Sequence, residues 1–407
     1  MEQNIVPTSA SIRPALDSVP LRMIGTVSAG LLLSGCVSLS NPYWDRHQGV
    51  PQDLITGAAV FGEEVRAEEV PEEDILAVTP QMQAYVDDTL AGGRYTSARF
   101  KRIMQGLLRD GYFNASYQPN RTNTAAETFE QKAGNCLSYT NMFIALARAS
   151  GLDARYQVVD VPPSWDADDG YLIRYTHVNV LLKGVRFDKA YGEDFTVDFN
   201  EVHPDVDDPA RVIDDSYASA LFYANRSVNL FRQGENRQAF AYLRRAIELV
   251  PDNMDFWLNL GAFYAKLEHY DEAIRAYERV LQLDRHNRGA MSGLGRAYQV
   301  LGDSERADYY INQVRRYRDS NAYYHFAIAQ TEFEQERYVE ALNAINTAID
   351  LKKRNGRFYF MKGLTEQKLG DVEAARESFK RASRHGNYRD LKKRYREEVA
   401  GITFVSS

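Results

Sequence analysis

Few side chains in this chain are suited to covalent chemistry. There are 2 cysteines and 7 histidines in 407 residues. Cys136 stands in Gly134-Asn135-Cys136-Leu137-Ser138-Tyr139, just ahead of the apolar run Met142 to Ala147. That run reads as a helix buried on most sides, with Gly151 as its stop. At a helix N-terminus the unpaired backbone N–H groups favour a thiolate and lower a cysteine's pKa. A cysteine nucleophile also needs a base, most often histidine, oriented by a third polar group. Of the histidines, His47 lies far upstream, and His269, His286, His325 and His385 fall in or just after a C-terminal helical region. His177 and His203 remain. His177 belongs to a β-favouring run, Tyr171 to Leu182, whose alternation puts Ile173, Tyr175, His177, Asn179 and Leu181 on one face. His203 precedes Pro204 and reads as a loop residue. The plainer reading of Cys136 is a small buried packing residue.

The elements that would position these residues follow from periodicity. Phe100 to Leu108 is amphipathic and reads as a helix closed by Gly111. Tyr156 to Val159 and Phe195 to Asn200 read as strands, and Lys183-Gly184 reads as a turn that ends the His177 strand. Helices and strands thus mix over residues 79–210, an α+β domain. Trp165, Asp166, Asp168 and Asp169, just before the His177 strand, read as a solvated loop.

The segment from Thr128 to Val159 carries a family resemblance. Gly134, Cys136, Phe143, Ala147, Arg148, Gly151, Ala154, Arg155 and Tyr156 stand where the transglutaminase-like superfamily has its G-x-C, its helix and its short A-R-Y strand. The family's histidine begins a strand as H-V or H-A, here His177-Val178. The resemblance covers roughly residues 80 to 205 and implies a papain-like fold in which Cys, His and Asp converge. The aspartate is Asp198 in Phe-Thr-Val-Asp-Phe-Asn, or else Asp188 in Val-Arg-Phe-Asp-Lys-Ala, with Asp198 preferred. The aromatic common two residues after the family's histidine is Asn179 here, which bears on substrate or acceptor preference. The implied chemistry is acyl transfer. Cys136 attacks an amide or ester carbonyl, His177 exchanges the proton, Asp198 fixes the imidazole, and the Cys136 N–H is a candidate oxyanion donor. The resemblance implies no cofactor. A zinc site made of the same three residues has no ligand-spacing motif behind it.

From about residue 213 the pattern is all helix and periodic. Ala239, Ala273, Ala307, Ala341 and Ala375 recur every 34 residues. Ser227, Gly261, Gly295, Ala329 and Gly363 stand 12 residues before them, and Ala246, Val280, Val314, Ala348 and Ala382 stand 7 after. Trp257, Leu260, Gly261 and Tyr264 followed by Ala273 resemble the tetratricopeptide pattern. Five such repeats over 220–389 imply an all-α solenoid with a concave surface for a protein or peptide. Lys380 to Arg396 is basic and reads as a polar capping helix, with residues 390–407 as a C-terminal cap or tail.

The N-terminal region carries a second cysteine. Met23 to Gly35 is apolar or small, follows Arg13 and Arg22, and is shorter than the about 20 residues a spanning helix needs. It fits a signal-peptide core. Leu33-Ser34-Gly35-Cys36 resembles the bacterial lipobox. The resemblance implies removal of residues 1–35, lipidation of Cys36 and, with Val37 rather than Asp next, the periplasmic face of the outer membrane. Lipidation would leave Cys136 without a disulfide partner in its own chain. Residues 36–78 contain Pro42, Pro51 and Pro71 and an acidic cluster from Glu63 to Asp74, and read as a loose tether. The net charge of -7 gives no reason to expect nucleic-acid binding. Two functions follow: a lipid-anchored cysteine acyl hydrolase or transferase with a protein-binding solenoid, or a non-catalytic envelope scaffold that uses the repeats alone.

Overall fold

A computed structural model describes residues 12–14, 51–90, 95–112, 116–159, 164–165, 172–173, 177–186, 192–199 and 210–385. Cys36, Asp188, His203, Asp166, Asp168, Asp169 and the tail 390–407 lie outside the described residues. In chain order the elements begin with β1 (Ile12–Pro14), α1 (Gln52–Ile55), α2 (Ala58–Phe61), α3 (Pro80–Leu90), α4 (Thr96–Arg109), β2 (Ser116–Tyr117), α5 (Ala125–Gln131) and β3 (Ala133–Gly134). Next come α6 (Cys136–Ala149), β4 (Asp153–Val159), β5 (Ser164–Trp165), β6 (Leu172–Ile173), β7 (His177–Val185), β8 (Glu193–Val197) and β9 (Ala210–Ile213). The helical array is α7 (Asp215–Arg232), α8 (Asn236–Leu249), α9 (Met254–Lys266), α10 (Tyr270–Leu283), α11 (Arg288–Val300), α12 (Ser304–Ser320), α13 (Ala322–Glu334), α14 (Tyr338–Leu351), α15 (Gly356–Lys368) and α16 (Val372–His385). Contacts divide the chain into two compact units, one of residues 1–161 with 176–272, the other of 162–175 with 273–407.

The first unit is built on a sheet of order β1-β8-β7-β4-β9, antiparallel throughout. β4 and β7 pair from Val159↔His177 to Asp153↔Lys183, and β8 pairs β7 through Val180↔Val197. α6 covers β4 and β7, so Phe143, Ile144, Leu146, Tyr156, Val180, Leu182 and Val197 form one apolar core. The His177 strand is buried on both faces over its first six residues, which accounts for its near-continuous apolar character. Gly184 does not end β7 as a turn. It lies in a bulge between Leu182 and Val185, and the strand runs on to Val185. The sheet edge at β8 is filled by β1, from the segment that the sequence assigned to a removed leader.

Two features enlarge this unit beyond residues 79–210. The described part of the expected tether, residues 51–78, is packed rather than loose. Leu54 and Val65 are fully buried, Tyr264 donates to the Leu54 carbonyl at 2.6 Å, and Ala125 N–H donates to the Ile75 carbonyl at 2.9 Å. Several of the acidic residues have cationic partners on α8. Arg237 grips Glu69 through two hydrogen bonds of 2.8 Å, and Arg244 holds Glu64 at 2.8 Å. Glu64 and Glu69, which read as solvated chain, are thus paired with guanidinium groups far away in sequence. In addition, α7 is tied to the end of α6 by a bidentate pair, Arg148 to Asp215 at 2.6 and 2.9 Å.

Among the described helices after residue 214, α7 pairs with α8 in the first unit, and α11 with α12, α13 with α14 and α15 with α16 in the second. The register alanines Ala239, Ala273, Ala341 and Ala375 are fully buried and Ala307 nearly so. The small residues stand where partner helices approach closely. A Cβ on Gly295 would lie 2.9 Å from Ile311, and one on Gly363 would lie 2.7 Å from the Phe379 ring. Within the second unit, Phe358, Ile345, Ala329, Ala348 and Met361 form a shared core, and the β5–β6 pair rests on α11 and α13.

Candidate active site

Cys136 is the first residue of α6, and the turn before it is fixed by polar contacts. The Asn135 side chain caps the helix by accepting from Ser138 N–H at 3.1 Å, and its amide donates to Thr122 Oγ1 at 2.8 Å. Asn135 N–H donates to the Arg121 carbonyl at 2.9 Å, and Asn123 N–H donates to Ser138 Oγ at 2.8 Å. Asn123 also donates to the Ala133 carbonyl at 2.9 Å. Gly134 is required here: a Cβ would stand 2.5 Å from Ser138 Cβ. Thr124 and Glu127 form a capping box that starts α5 and pins the other end of this loop.

His177, the first residue of β7, and Asp198, just past β8, are brought together. His177 Nε2 lies 2.6 Å from Asp198 Oδ2, with both side chains buried. Asn179, two residues along the same strand face, donates to that same carboxylate oxygen at 3.4 Å. Phe199, next to Asp198, packs on Phe143 at 5.6 Å and on Tyr139 at 6.2 Å between ring centres, which anchors the Asp198 segment on α6. With Nε2 directed at Asp198, proton exchange with a thiol or substrate falls to Nδ1.

The electrostatics of Cys136 depart from the expected lowered pKa. Its accessible surface is intermediate, but the packing around the sulfur desolvates it and pushes the thiol up to about 11. The backbone N–H groups of Leu137 and Val178 pull the other way, and the Asp198 carboxylate adds to the rise. The helix-start effect is therefore present, but burial outweighs it. The Val178 contact also puts the sulfur beside the first residues of β7, where His177 sits. Among the described residues no group of three or more His, Cys, Asp or Glu side chains is arranged to hold a metal.

The expected residues Cys136, His177 and Asp198 all belong to the first unit. Sequence reasoning missed the loop partners Thr122 and Asn123, and the role of Asn135 as a cap. The Thr124-Ala-Ala-Glu127 capping-box spacing was the signal that marked this loop.

Comparison with known proteins bears on the two domains. Residues 83–190 match the Transglutaminase-like superfamily. Residues 255–287, 292–357 and 356–384 match the tetratricopeptide repeat. The chain therefore carries a transglutaminase-like α+β domain followed by a tetratricopeptide-repeat solenoid. TPR repeat-containing protein MJ1428 of Methanocaldococcus jannaschii is 25% identical over 182 residues, 42% of this chain and 31% of that protein. Protein O-mannosyl-transferase TMTC1 of Homo sapiens is 27% identical over 144 residues, 34% of this chain and 16% of that protein. The chain thus spans less than a third of the length of these relatives. Among solved structures, YrrB, described as a TPR protein with an unusual peptide-binding site, is 20% identical with a TM-score of 0.24, covering 44% of this chain and 92% of that one.

Proposed function

We propose that this protein is a cysteine-dependent acyl hydrolase or acyltransferase whose repeats bind a protein or peptide. The observation that carries the reading is the buried His177–Asp198 contact at 2.6 Å, on the strand whose Val178 N–H faces the Cys136 sulfur. Tetratricopeptide repeats support a protein or peptide partner.

Burial raises the pKa of Cys136, and the proposed order of proton transfers starts from that. In this reading Cys136 starts as a neutral thiol. His177 takes its proton as the sulfur attacks an amide or ester carbonyl, and Asp198 stabilises the imidazolium that forms. The carbonyl oxygen gains charge and is met by the Cys136 N–H at the helix start. The imidazolium then protonates the departing amine or alcohol, leaving an acyl group on sulfur. Water or an amine attacks that thioester, His177 takes the incoming proton, and the thiol is restored. Water gives hydrolysis, and an amine gives transfer.

The lipid anchor at Cys36 and residence on the periplasmic face of the outer membrane belong to the same proposal and rest on the Leu33-Ser34-Gly35-Cys36 resemblance. No helix among the described residues is long and apolar enough to cross a membrane. Globomycin-sensitive processing and palmitate labelling lost in Cys36→Ala would support the anchor; labelling unchanged in that variant would remove it. Cys136→Ala tests the chemistry. A folded Cys136→Ala chain that restores a deletion strain fully rules the enzyme reading out. In that case the scaffold reading, which the desolvated thiol also fits, takes its place.

A further inference from the structure

The 34-residue register exposes an anomaly in the first repeat. Arg226 occupies the position of Leu260, Leu294 and Ile328 in the next three repeats, and of Lys362 in the last. Packing between helices is served by leucine at that position, so a guanidinium in the first repeat calls for a polar partner. The structure supplies one. Arg226 Nε donates to the Thr122 carbonyl at 3.0 Å, and Nη2 donates to Glu127 Oε2 at 2.7 Å. Glu73 lies at 3.8 Å, and the guanidinium sits over the Phe222 ring at 4.9 Å. Thr122 is also the residue whose Oγ1 receives the Asn135 amide. One residue therefore stands between the guanidinium and the helix cap next to Cys136. Thr122 and Asn135 are both buried, so the hydrogen bond between them cannot be exchanged freely for water.

We propose that Arg226, supplied by the first repeat helix, is a positioning residue for Cys136: it clamps the loop from Arg121 to Thr124, and that loop holds the Asn135 cap from which the nucleophile starts. The first repeat is then a working part of the acyl-transfer site. The inference rests on the reading of Cys136 as the nucleophile, but its test does not.

Arg226→Leu restores the residue of the second and third repeats, and Thr122→Val removes the hydroxyl that receives Asn135. Alkylation of Cys136 by iodoacetamide is followed in the full chain across pH, with the Cys136 peptide quantified by mass spectrometry so that Cys36 does not contribute. A freed loop opens the helix start and exposes the sulfur. Each single variant is expected to alkylate about five-fold faster at pH 8, and the double variant no faster than either. Rates equal to wild type in Arg226→Leu, or effects that multiply in the double variant, overturn the clamp. If Arg226→Leu loses its cooperative melt, Arg226→Lys serves instead: it keeps the charge beside Glu127 and loses the forked donor. An intermediate rate is expected for it, and the wild-type rate overturns the proposal. A failed cycle beside a phenotype that depends on Cys136 sinks the clamp alone. An intact cycle beside a phenotype indifferent to Cys136→Ala sinks the acyl-transfer reading alone.

Discussion

Titrating Cys136 tests the electrostatics of the site without knowledge of the substrate. Burial moves the thiol from an ordinary 9.0 to about 11. At pH 8 the thiolate fraction then falls from about one in ten to about one in a thousand, a hundredfold loss. Alkylation proceeds through the thiolate, so the Cys136 peptide of the folded chain is expected to react about a hundredfold more slowly at pH 8 than the same peptide in urea. Its rate should keep rising to a midpoint near pH 11. The sign for stability follows. The fold favours the protonated thiol, so this contribution is fully present below about pH 9 and is lost as pH rises toward 11. Stopped-flow alkylation with peptide-resolved mass spectrometry reads the rate, and urea melts at pH 8 and pH 10.5 read the stability. A folded-state midpoint at or below about 8.5 would refute the reasoning, because the thiol would then titrate as an unburied cysteine does.

Three substitutions test the packing on which the site depends. Gly134→Ala forces Ser138 and the helix start apart and should cost about 1–3 kcal/mol in urea denaturation; an unchanged midpoint would mean that the turn adapts freely. Leu54→Ala should cost roughly 2–5 kcal/mol if residues 51–78 are part of the first unit, and a neutral result would return that segment to a loose tether. Arg148→Ala breaks an ion pair whose side chains are 36% and 52% exposed, so its thermal melt should show only about 1 kcal/mol of loss, mostly through the hydrogen bond to the Ala154 carbonyl.

The parts of the structure legible in the sequence were those written in local patterns. The register of Ala239, Ala273, Ala307, Ala341 and Ala375 landed on buried positions because helix pairing repeats at a fixed interval. Gly151 adopts a left-handed φ of 78° just past α6, as a helix terminator should. His177 and Asp198 met because neighbouring strands in register put their ends together. What stayed hidden depended on distant partners. The acidic run from Glu63 to Asp74 resembles solvated chain until Arg237 and Arg244 face it. The hold on Asn135 likewise comes from a separate stretch of chain, where Thr122 Oγ1 receives its amide. The Cys136 pKa was expected to fall because a helix start is visible in sequence, whereas the burial that raises it is not.

The most direct test of the central claim is the capture of an acyl group on Cys136. The purified chain is exposed to a short peptide thioester, and the Cys136 peptide is sequenced by tandem mass spectrometry, alongside His177→Ala and Asp198→Ala variants that retain the native melt. The proposed chemistry predicts an acyl adduct on Cys136 that forms fastest in the wild-type chain, more slowly without Asp198 and least without His177. No adduct on Cys136, or adducts forming at the same rate in all three chains, would contradict it.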